Sequence, residues 1–206
     1  MDATPSSREK ILDVAEALFA RRGYSGVGLS EVAKASGLRK SSLFHHFHSK
    51  TELYSEVMGR VLDRIQACLR PVLDSAAGPA ERLDRWVEVL VDALAEQPTS
   101  ARLLLRGLFE DDDFEREALP ATEAAERTLS EILQGIGRLL REGVDSGVFR
   151  EVSVPHTVQT LIGATAYHFA SGDLGENLLG RPLFSAEAVR RRKEEIVGLL
   201  HRGLAA

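Results

Sequence analysis

Several residue types and patterns are rare or absent in this 206-residue chain, and each absence excludes a structural feature or a class of protein. The single cysteine, Cys68, excludes an internal disulfide and fits a reducing compartment. No apolar run reaches the roughly 18 residues of a membrane-spanning helix. Charged residues recur from Asp2 to Glu16, so the N-terminus has no apolar signal core. We therefore expect a cytoplasmic protein that does not enter a membrane.

Sheet and catalytic signatures are missing as well. No period-two stretch is long enough to predict a strand, which leaves an all-α fold. The chain has no HExxH motif, no paired ExxH motifs and no phosphate-binding loop, so we expect neither an enzyme nor a cofactor. A helical enzyme stays open as an alternative, which a turnover activity lost on substitution of one buried polar residue would favour.

Three neighbouring histidines raise the question of a metal site. His45, His46 and His48 do not share one helix face well, and no cysteine or carboxylate cluster joins them. We therefore expect no metal.

The residues that are present indicate a folded chain with an uneven charge. With 44% hydrophobic and 28% charged residues, the chain can bury a core. Residues 1–50 contain eight lysines and arginines against five acids, a net charge of +3, and the remainder contains 18 against 26, a net charge of −8. A basic N-terminal segment suits a polyanionic partner.

Helical periodicity and capping signals divide the chain into nine predicted helices. Capping boxes of the form Ser-x-x-Glu begin at Ser6 and Ser49, and Gly23, Gly37 and Pro71 mark helix ends. The predicted helices cover approximately residues 7–22, 29–36, 40–47, 50–70, 80–96, 99–110, 121–143, 156–171 and 185–203.

Three segments are predicted to lie outside helices. Residues 1–5 are a disordered start, and residues 111–120 are an acidic connection. Residues 171–184 are a long, glycine-rich loop.

The first three predicted helices can form one small core. Ile11 and Phe19 of the first helix can meet Val32 of the second, and Leu43 and Phe47 lie four apart on one face of the third. With that face buried, the opposite side of the third helix points outward and fits a DNA major groove about 12 Å wide. Its outward residues are cationic, polar or aromatic: Lys40, Ser41, Ser42, Phe44, His45 and His46.

Four of these side chains suit contacts with bases. Lys40 can reach guanine O6 and N7, and Phe44 can touch a thymine methyl group or a sugar. Ser41 and Ser42 are short enough to let the backbone approach the bases.

The remaining polar residues suit the DNA backbone. His45, His46 and Lys50 can bond phosphates, and the N-terminus of the fourth helix adds its positive dipole. Arg39 and Ser30 are candidates for backbone or flanking-base contacts. Such contacts make binding steeply dependent on salt, which separates DNA binding from the alternative of a helical protein-interaction module.

These residues resemble the N-terminal domain of the TetR (tetracycline repressor-like) family of bacterial transcriptional regulators. The resemblance covers about residues 8–58 and rests on ILDVAEALFARRGY at 11–24, LSEVAKASGL at 29–38 and LFHHFHSKTEL at 43–53. Two positions depart from the family pattern. Phe44 replaces the usual tyrosine and lacks its hydroxyl, and Gly28 replaces the usual helix-capping threonine or serine, which costs only a few tenths of a kcal/mol.

The resemblance implies a homodimer through the last two helices, operator DNA as a partner, and a cavity for a small-molecule effector in the C-terminal domain. Within that domain we select Trp86, Arg106, Tyr167 and His168 as candidate ligand-binding residues. The alternative is that the aromatics belong to the core and that Arg106 pairs with Glu110.

Two features of the last helices suit a dimer interface. Residues 163–166, GATA, give a helix a face of small residues, and the last helix carries an apolar stripe. The stripe consists of Val189, Ile196, Leu200 and Leu204. Packing within the chain's own core is the alternative for both.

The sequence thus predicts an all-α protein with two domains. Residues 1–49 form a three-helix helix-turn-helix DNA-binding domain, and residues 50–206 form a larger helical domain for ligand binding and dimerisation. The predicted function is a repressor that a ligand releases from a palindromic operator. An activator or a constitutive repressor without a ligand is the alternative.

Overall fold

Ten helices make up the part of the chain that the computed structural model describes, residues 6–109 and 119–205. Among these residues the only β-type pairing is an isolated bridge between Phe149 and Ala205, so the predicted all-α fold is confirmed. The helices are α1 (Ser7–Arg22), α2 (Leu29–Ala35), α3 (Lys40–Phe44), α4 (Lys50–Leu73), α5 (Pro79–Glu96), α6 (Pro98–Phe109), α7 (Pro120–Asp145), α8 (Val154–Ala170), α9 (Gly172–Leu179) and α10 (Ala186–Leu204).

Interactions between residues close in sequence define the ends of the first three helices, which we call the head. The Ser6 hydroxyl accepts a hydrogen bond from the Glu9 amide, and the Glu9 carboxylate accepts one from the Ser6 amide, which completes the predicted capping box. Gly23 ends α1 with a φ of 70°, a left-handed value that disfavours other residues. Gly37, also at φ 70°, turns the chain between α2 and α3.

The remaining helices, α4 to α10, form what we call the body. α4 packs along α7 and α5, α6 packs against α8, and α5 packs against α10. α1 joins the head to the body through contacts with α4 and α6. One continuous cluster of buried apolar residues runs from Ile11 in the head to Leu204 in α10, so head and body share a core.

The fourth helix does not end at Pro71, so that prediction was wrong. α4 continues to Leu73, and the Asp74 amide closes its end by donating to the Arg70 carbonyl at 3.0 Å. A proline removes only one backbone hydrogen bond in the last turn. Leu73 reaches α7 so closely that a Cβ on Gly135 would lie 2.6 Å from its Cδ1 atom, and this packing holds the final turn in place.

The loop predicted at residues 171–184 contains α9, so that prediction was also wrong. Glycines favoured a loop in the sequence, but two of them have helical roles in the structure. Gly180 ends α9 in the left-handed conformation at φ 65°. Gly175 is buried, and a Cβ there would lie 3.1 Å from the Leu183 side chain, so it permits close packing of the segment that follows.

The predicted apolar stripe of the last helix faces the chain's own core. Ile196 and Leu204 are 3% and 6% exposed, and Val189 and Leu200 pack partly buried against the same core. The structure therefore agrees with the alternative prediction, in which this stripe packs within the chain's own core. The stripe contacts the apolar core to which α5 also contributes. The predicted disordered start at 1–5 and most of the predicted connection at 111–120 lie outside the described residues.

Candidate DNA-binding surface and ligand cavity

α3 presents its polar side outward and its apolar side inward. Leu43 and Phe47 are both 0% exposed, as the sequence predicts. The Phe47 amide donates to the Leu43 carbonyl at 2.9 Å, so the helical turn continues beyond Phe44 and keeps Phe47 pointing inward. The other side of this segment holds exposed side chains and no acid: Arg39, Lys40, Ser41, Phe44 and His45. This orientation leaves a cationic surface open to a polyanion.

Lys40 and Phe44 form one unit on this surface. The Lys40 Nζ atom lies 5.7 Å from the centroid of the Phe44 ring, within the range of a cation–π contact. Ser42 and His46 are half-buried at the edge of the surface, and Ser30 is exposed near the start of α2.

Lys50 lies apart from this unit. Its Nζ atom is 4.3 Å from the Tyr24 ring centroid and 3.4 Å from the Ser25 carbonyl oxygen, at the turn between α1 and α2. The structure therefore places Lys50 beside the α1–α2 turn, while Lys40 lies on α3.

Arg8 is a cationic residue near this surface that the sequence analysis passed over. Its guanidinium carbon lies 5.4 Å from the centroid of the Phe47 ring, and its side chain pairs with Glu56 of α4. The apolar pattern of α1 could have indicated it, because Arg8 precedes the first buried residue of that helix by one turn.

Polar bonds join the head to the body at α1. Glu16 is only 6% exposed, and its carboxylate accepts two hydrogen bonds from Arg64 of α4, at 2.6 and 3.1 Å. The Thr99 hydroxyl at the start of α6 donates to the same carboxylate at 2.9 Å. One buried acid therefore ties α1 to two helices of the body.

Aromatic rings make a second connection between head and body. The Tyr54 ring of α4 meets Phe19 and Tyr24 edge-on, with centroids 5.0 and 5.2 Å apart. The hydroxyl groups of Tyr24 and Thr51 lie 2.9 Å apart and form a hydrogen bond. These contacts connect Tyr54 of α4 directly to the turn that follows α1.

The body contains two neighbouring cavities along α7. The larger, about 780 Å³, lies between α6, α7 and α8. The smaller, about 400 Å³, lies between α4, α6 and α7. Ser130 and Leu133 line both, so the two cavities adjoin at these residues. Their sizes are in the range of small-molecule sites.

The four residues predicted to bind a ligand are dispersed and line neither cavity. Trp86 is fully buried in the core, and Tyr167 is exposed on α8. A Cβ on Gly23 would lie 2.8 Å from the Arg106 guanidinium, which places Arg106 against the end of α1. Glu110, its predicted partner, lies outside the described residues. A ligand-binding role for these residues stays a prediction.

His168 is the most perturbed of the four. Burial, with the positive charge of Arg192 as a second cause, lowers the pKa of His168 below its usual 6.5. The ring is therefore neutral at pH 7, and its Nε2 atom is buried with no hydrogen-bond partner among the described residues.

Two features are absent from the residues that the structure describes. None of the helices is long and apolar enough to cross a membrane. Within residues 6–109 and 119–205, histidine, cysteine and carboxylate side chains form no group of three that could hold a metal ion.

Comparison with known protein families gives two matches that together follow this architecture. A profile described as bacterial regulatory proteins, tetR family, matches residues 11–57, which span the head and the start of α4. A second profile, described as the tetracyclin repressor-like C-terminal domain, matches residues 79–200.

Three individual proteins illustrate the similarity. The HTH-type transcriptional repressor KstR2 of Mycobacterium tuberculosis is 40% identical over 78 residues, which are 38% of this chain and 39% of that repressor's length. The solved structure of ketosteroid transcriptional regulator KstR2 from the same species has a TM-score of 0.76 at 22% identity, and the match covers 99% of this chain and 97% of that one. The structure of AibR in complex with isovaleryl coenzyme A and operator DNA has a TM-score of 0.75 at 16% identity, with 94% and 97% covered.

The structural similarities establish the fold, and the family follows from the profiles. The second profile spans more than half of the chain, and the first covers the helix-turn-helix whose geometry is described above. The chain therefore belongs to the TetR family of bacterial transcriptional regulators.

Proposed function

We propose that this protein is a transcriptional repressor that binds a palindromic operator as a homodimer and that a small-molecule ligand releases from DNA. One observation carries the proposal: α3 and the turn after it bury Leu43 and Phe47 completely, while their other side, cationic and without an acid, faces solvent. Two such helices one DNA turn apart, about 34 Å, would read two half-sites.

The proposed DNA contacts divide by the chemistry of each side chain. Lys40, Ser41, Ser42 and Phe44 face the base edges, with the Lys40–Phe44 pair positioned as a unit. His45, His46, Lys50, Arg39 and Ser30 contact phosphates or flanking positions and set the register. Residues 1–49 act as the DNA-binding domain, and residues 50–206 bind the ligand and the partner subunit.

The proposed dimer interface uses the outer sides of α8 and α10. The apolar stripe of α10 packs against the chain's own core, but Tyr167 of α8 and Leu199 of α10 remain 56% and 61% exposed. An interface through the same two helices would cover both of these exposed apolar side chains.

Ligand release is supported by the cavities and by one structural neighbour. AibR was solved with both isovaleryl coenzyme A and operator DNA. In this chain the smaller cavity ends at Tyr54, which packs on the head. A coupling free energy of about 1–3 kcal/mol would give a loss of DNA affinity of about 5–150-fold. The protein would act by binding alone, without catalysis, in the cytoplasm.

Fluorescence anisotropy with labelled DNA from the region beside the protein's own gene tests the proposal. We expect Lys40→Ala combined with His46→Ala to lose at least about tenfold in affinity, because a base contact and a phosphate contact disappear. The matched control replaces two exposed arginines of the body, Arg70→Ala with Arg138→Ala, and should bind as the unchanged protein does. Equal binding by all three proteins would refute our assignment of residues.

Salt dependence separates DNA binding from a protein-interaction module. The logarithm of the DNA affinity should fall linearly with the logarithm of salt concentration, and the Lys40 and His46 variant should show a shallower slope. A reporter gene then distinguishes the modes of regulation: deletion of the protein should raise expression for a repressor and lower it for an activator.

A further inference from the structure

The two cavities adjoin along α7, and we call the pair of them the trough. Ser130 and Leu133 line both of them. Along α7 the trough runs from Thr122 near the head to Arg141 at the far end, and a helix rise of about 1.5 Å per residue makes this distance about 28 Å. This shape suits a long, narrow ligand better than a compact one.

The far part of the trough is mainly apolar. Its polar lining residues other than Arg141 are Ser130, Gln134, His156 and Gln159. Leu105, Val158 and Ile162 are among its apolar lining residues. Among the described residues that line this part, Arg141 carries the one permanent charge and none is acidic. Apolar walls favour a hydrocarbon ligand, and the arginine favours a negative charge at its end.

Arg141 is available to bind an anion. Its side chain is exposed, and no carboxylate of the described residues lies within ion-pair distance of it. The adjacent Glu142 pairs with Arg82 of α5 at 2.9 Å and so is engaged on a different side of α7. A guanidinium can donate two parallel hydrogen bonds to a carboxylate or a phosphate.

The end of the trough near the head differs from the far end in the charge of its described lining residues. Met58 and Tyr54 close it against Gly107 of α6, where a Cβ would lie 3.0 Å from the Met58 methyl group and 3.4 Å from the Tyr54 hydroxyl. Among the described residues that line this part, Glu126 is the one that carries a charge. A negative group is disfavoured there, and a flexible methionine accommodates an apolar chain end.

We infer that the effector is a long-chain anionic amphiphile whose negative group binds Arg141 and whose apolar chain lies along α7 toward Met58 and Tyr54. This inference rests on the proposed ligand-responsive function and adds the class and orientation of the ligand. The chain end then meets Tyr54, whose ring packs on Phe19 and Tyr24 of the head. Only a chain long enough to reach Tyr54 shifts the head.

Isothermal titration of the full-length, delipidated protein with chosen probes tests the class of ligand. We expect palmitate to bind, cetyl alcohol to bind at least about tenfold more weakly, and cetylamine not to bind, because Arg141 selects the negative charge. Palmitoyl coenzyme A is titrated in parallel. Binding of palmitate would assign a free carboxylate, and binding of the thioester alone would assign its phosphate groups to Arg141.

Variants test the orientation of the ligand. Arg141→Ala should lower the affinity for the anionic probe at least about tenfold, and Arg141→Lys should lower it less. Arg138→Ala, one turn away and outside the trough, should leave that affinity unchanged. Met58→Trp should fill the inner end. This variant should therefore bind palmitate more weakly. Its affinity for octanoate should not change, because the short octanoate chain stops before Met58.

Several outcomes would overturn the inference. These are no binding of palmitate or its thioester, equal binding of cetyl alcohol, or an affinity that does not change in Arg141→Ala. Operator binding measured on the same samples separates the two proposals. A protein that binds operator DNA but no amphiphile contradicts this inference alone, and a protein that binds no DNA contradicts the proposed function.

Discussion

At the scale of a single residue, Glu16 is one of the side chains that join the head to the body. It is a buried acid that bonds Arg64 and Thr99. We expect Glu16→Gln to lower the free energy of unfolding by about 2 kcal/mol, because Arg64 keeps its charge in a partly buried place without a carboxylate. Urea denaturation followed by circular dichroism measures this change.

Asp13→Asn is the matched control for Glu16→Gln. Asp13 lies on the same helix and pairs with Arg60 of α4 at 2.6 Å, but its side chain is 56% exposed. An exposed pair contributes only about 0–1 kcal/mol, so this variant should remain near the stability of the unchanged protein. An equal loss in the free energy of unfolding for both variants would show that the burial of Glu16 adds nothing to the stability of the protein.

At the scale of an element, the C-terminal end of α7 is shaped by the chain that follows it. Phe149 is buried against this end, and a Cβ on Gly143 would lie 2.0 Å from its ring. We expect Gly143→Ala to destabilise the protein by about 1–3 kcal/mol, because the Phe149 ring has to leave its place. The change appears as a lower melting temperature in thermal denaturation.

Gly59→Ala provides the comparison for this glycine. Gly59 lies inside α4, and a Cβ there would be 3.9 Å from the Ala125 side chain, an ordinary contact. Alanine is the better helix former by about 1 kcal/mol, so this variant should be as stable as the unchanged protein or more stable. A Gly143→Ala protein that is equally stable would contradict the packing that we describe.

At the scale of the whole molecule, the proposed regulation requires two copies of the chain. Tyr167→Glu combined with Leu199→Glu places two charges on the outer sides of α8 and α10, where burial without a partner is costly. We expect a monomer in analytical ultracentrifugation and a loss of operator affinity of about a hundredfold or more, because the two half-sites are then bound independently.

Ala67→Glu is the control for the dimer variant. It adds a negative charge at an exposed position of α4, away from α8 and α10. This protein should remain dimeric and bind DNA as before. If the double variant also stays dimeric, the interface lies elsewhere on the molecule.

The sequence by itself determined the head of this protein. Helix caps at Ser6 and Ser49, the glycine at 23, and the spacing of Leu43 and Phe47 all act between residues a few positions apart. Such short-range interactions can be predicted from a sequence, and they were enough to predict which side of α3 faces solvent. The same local rules failed at Pro71, beyond which Leu73 packs against α7. They also failed in residues 171–184, where α9 contains Gly172 and Gly175 and ends only at Gly180.

Only the tertiary structure decided where the trough lies and what joins it to the head. Its walls come from α4, α6, α7 and α8, and the ligand candidates chosen from the sequence line none of it. The bonds of Glu16 span 48 positions to Arg64 and 83 to Thr99. The periodicity of a helix shows that one side is buried, but the partner of that side is chosen by the packing of all the helices together.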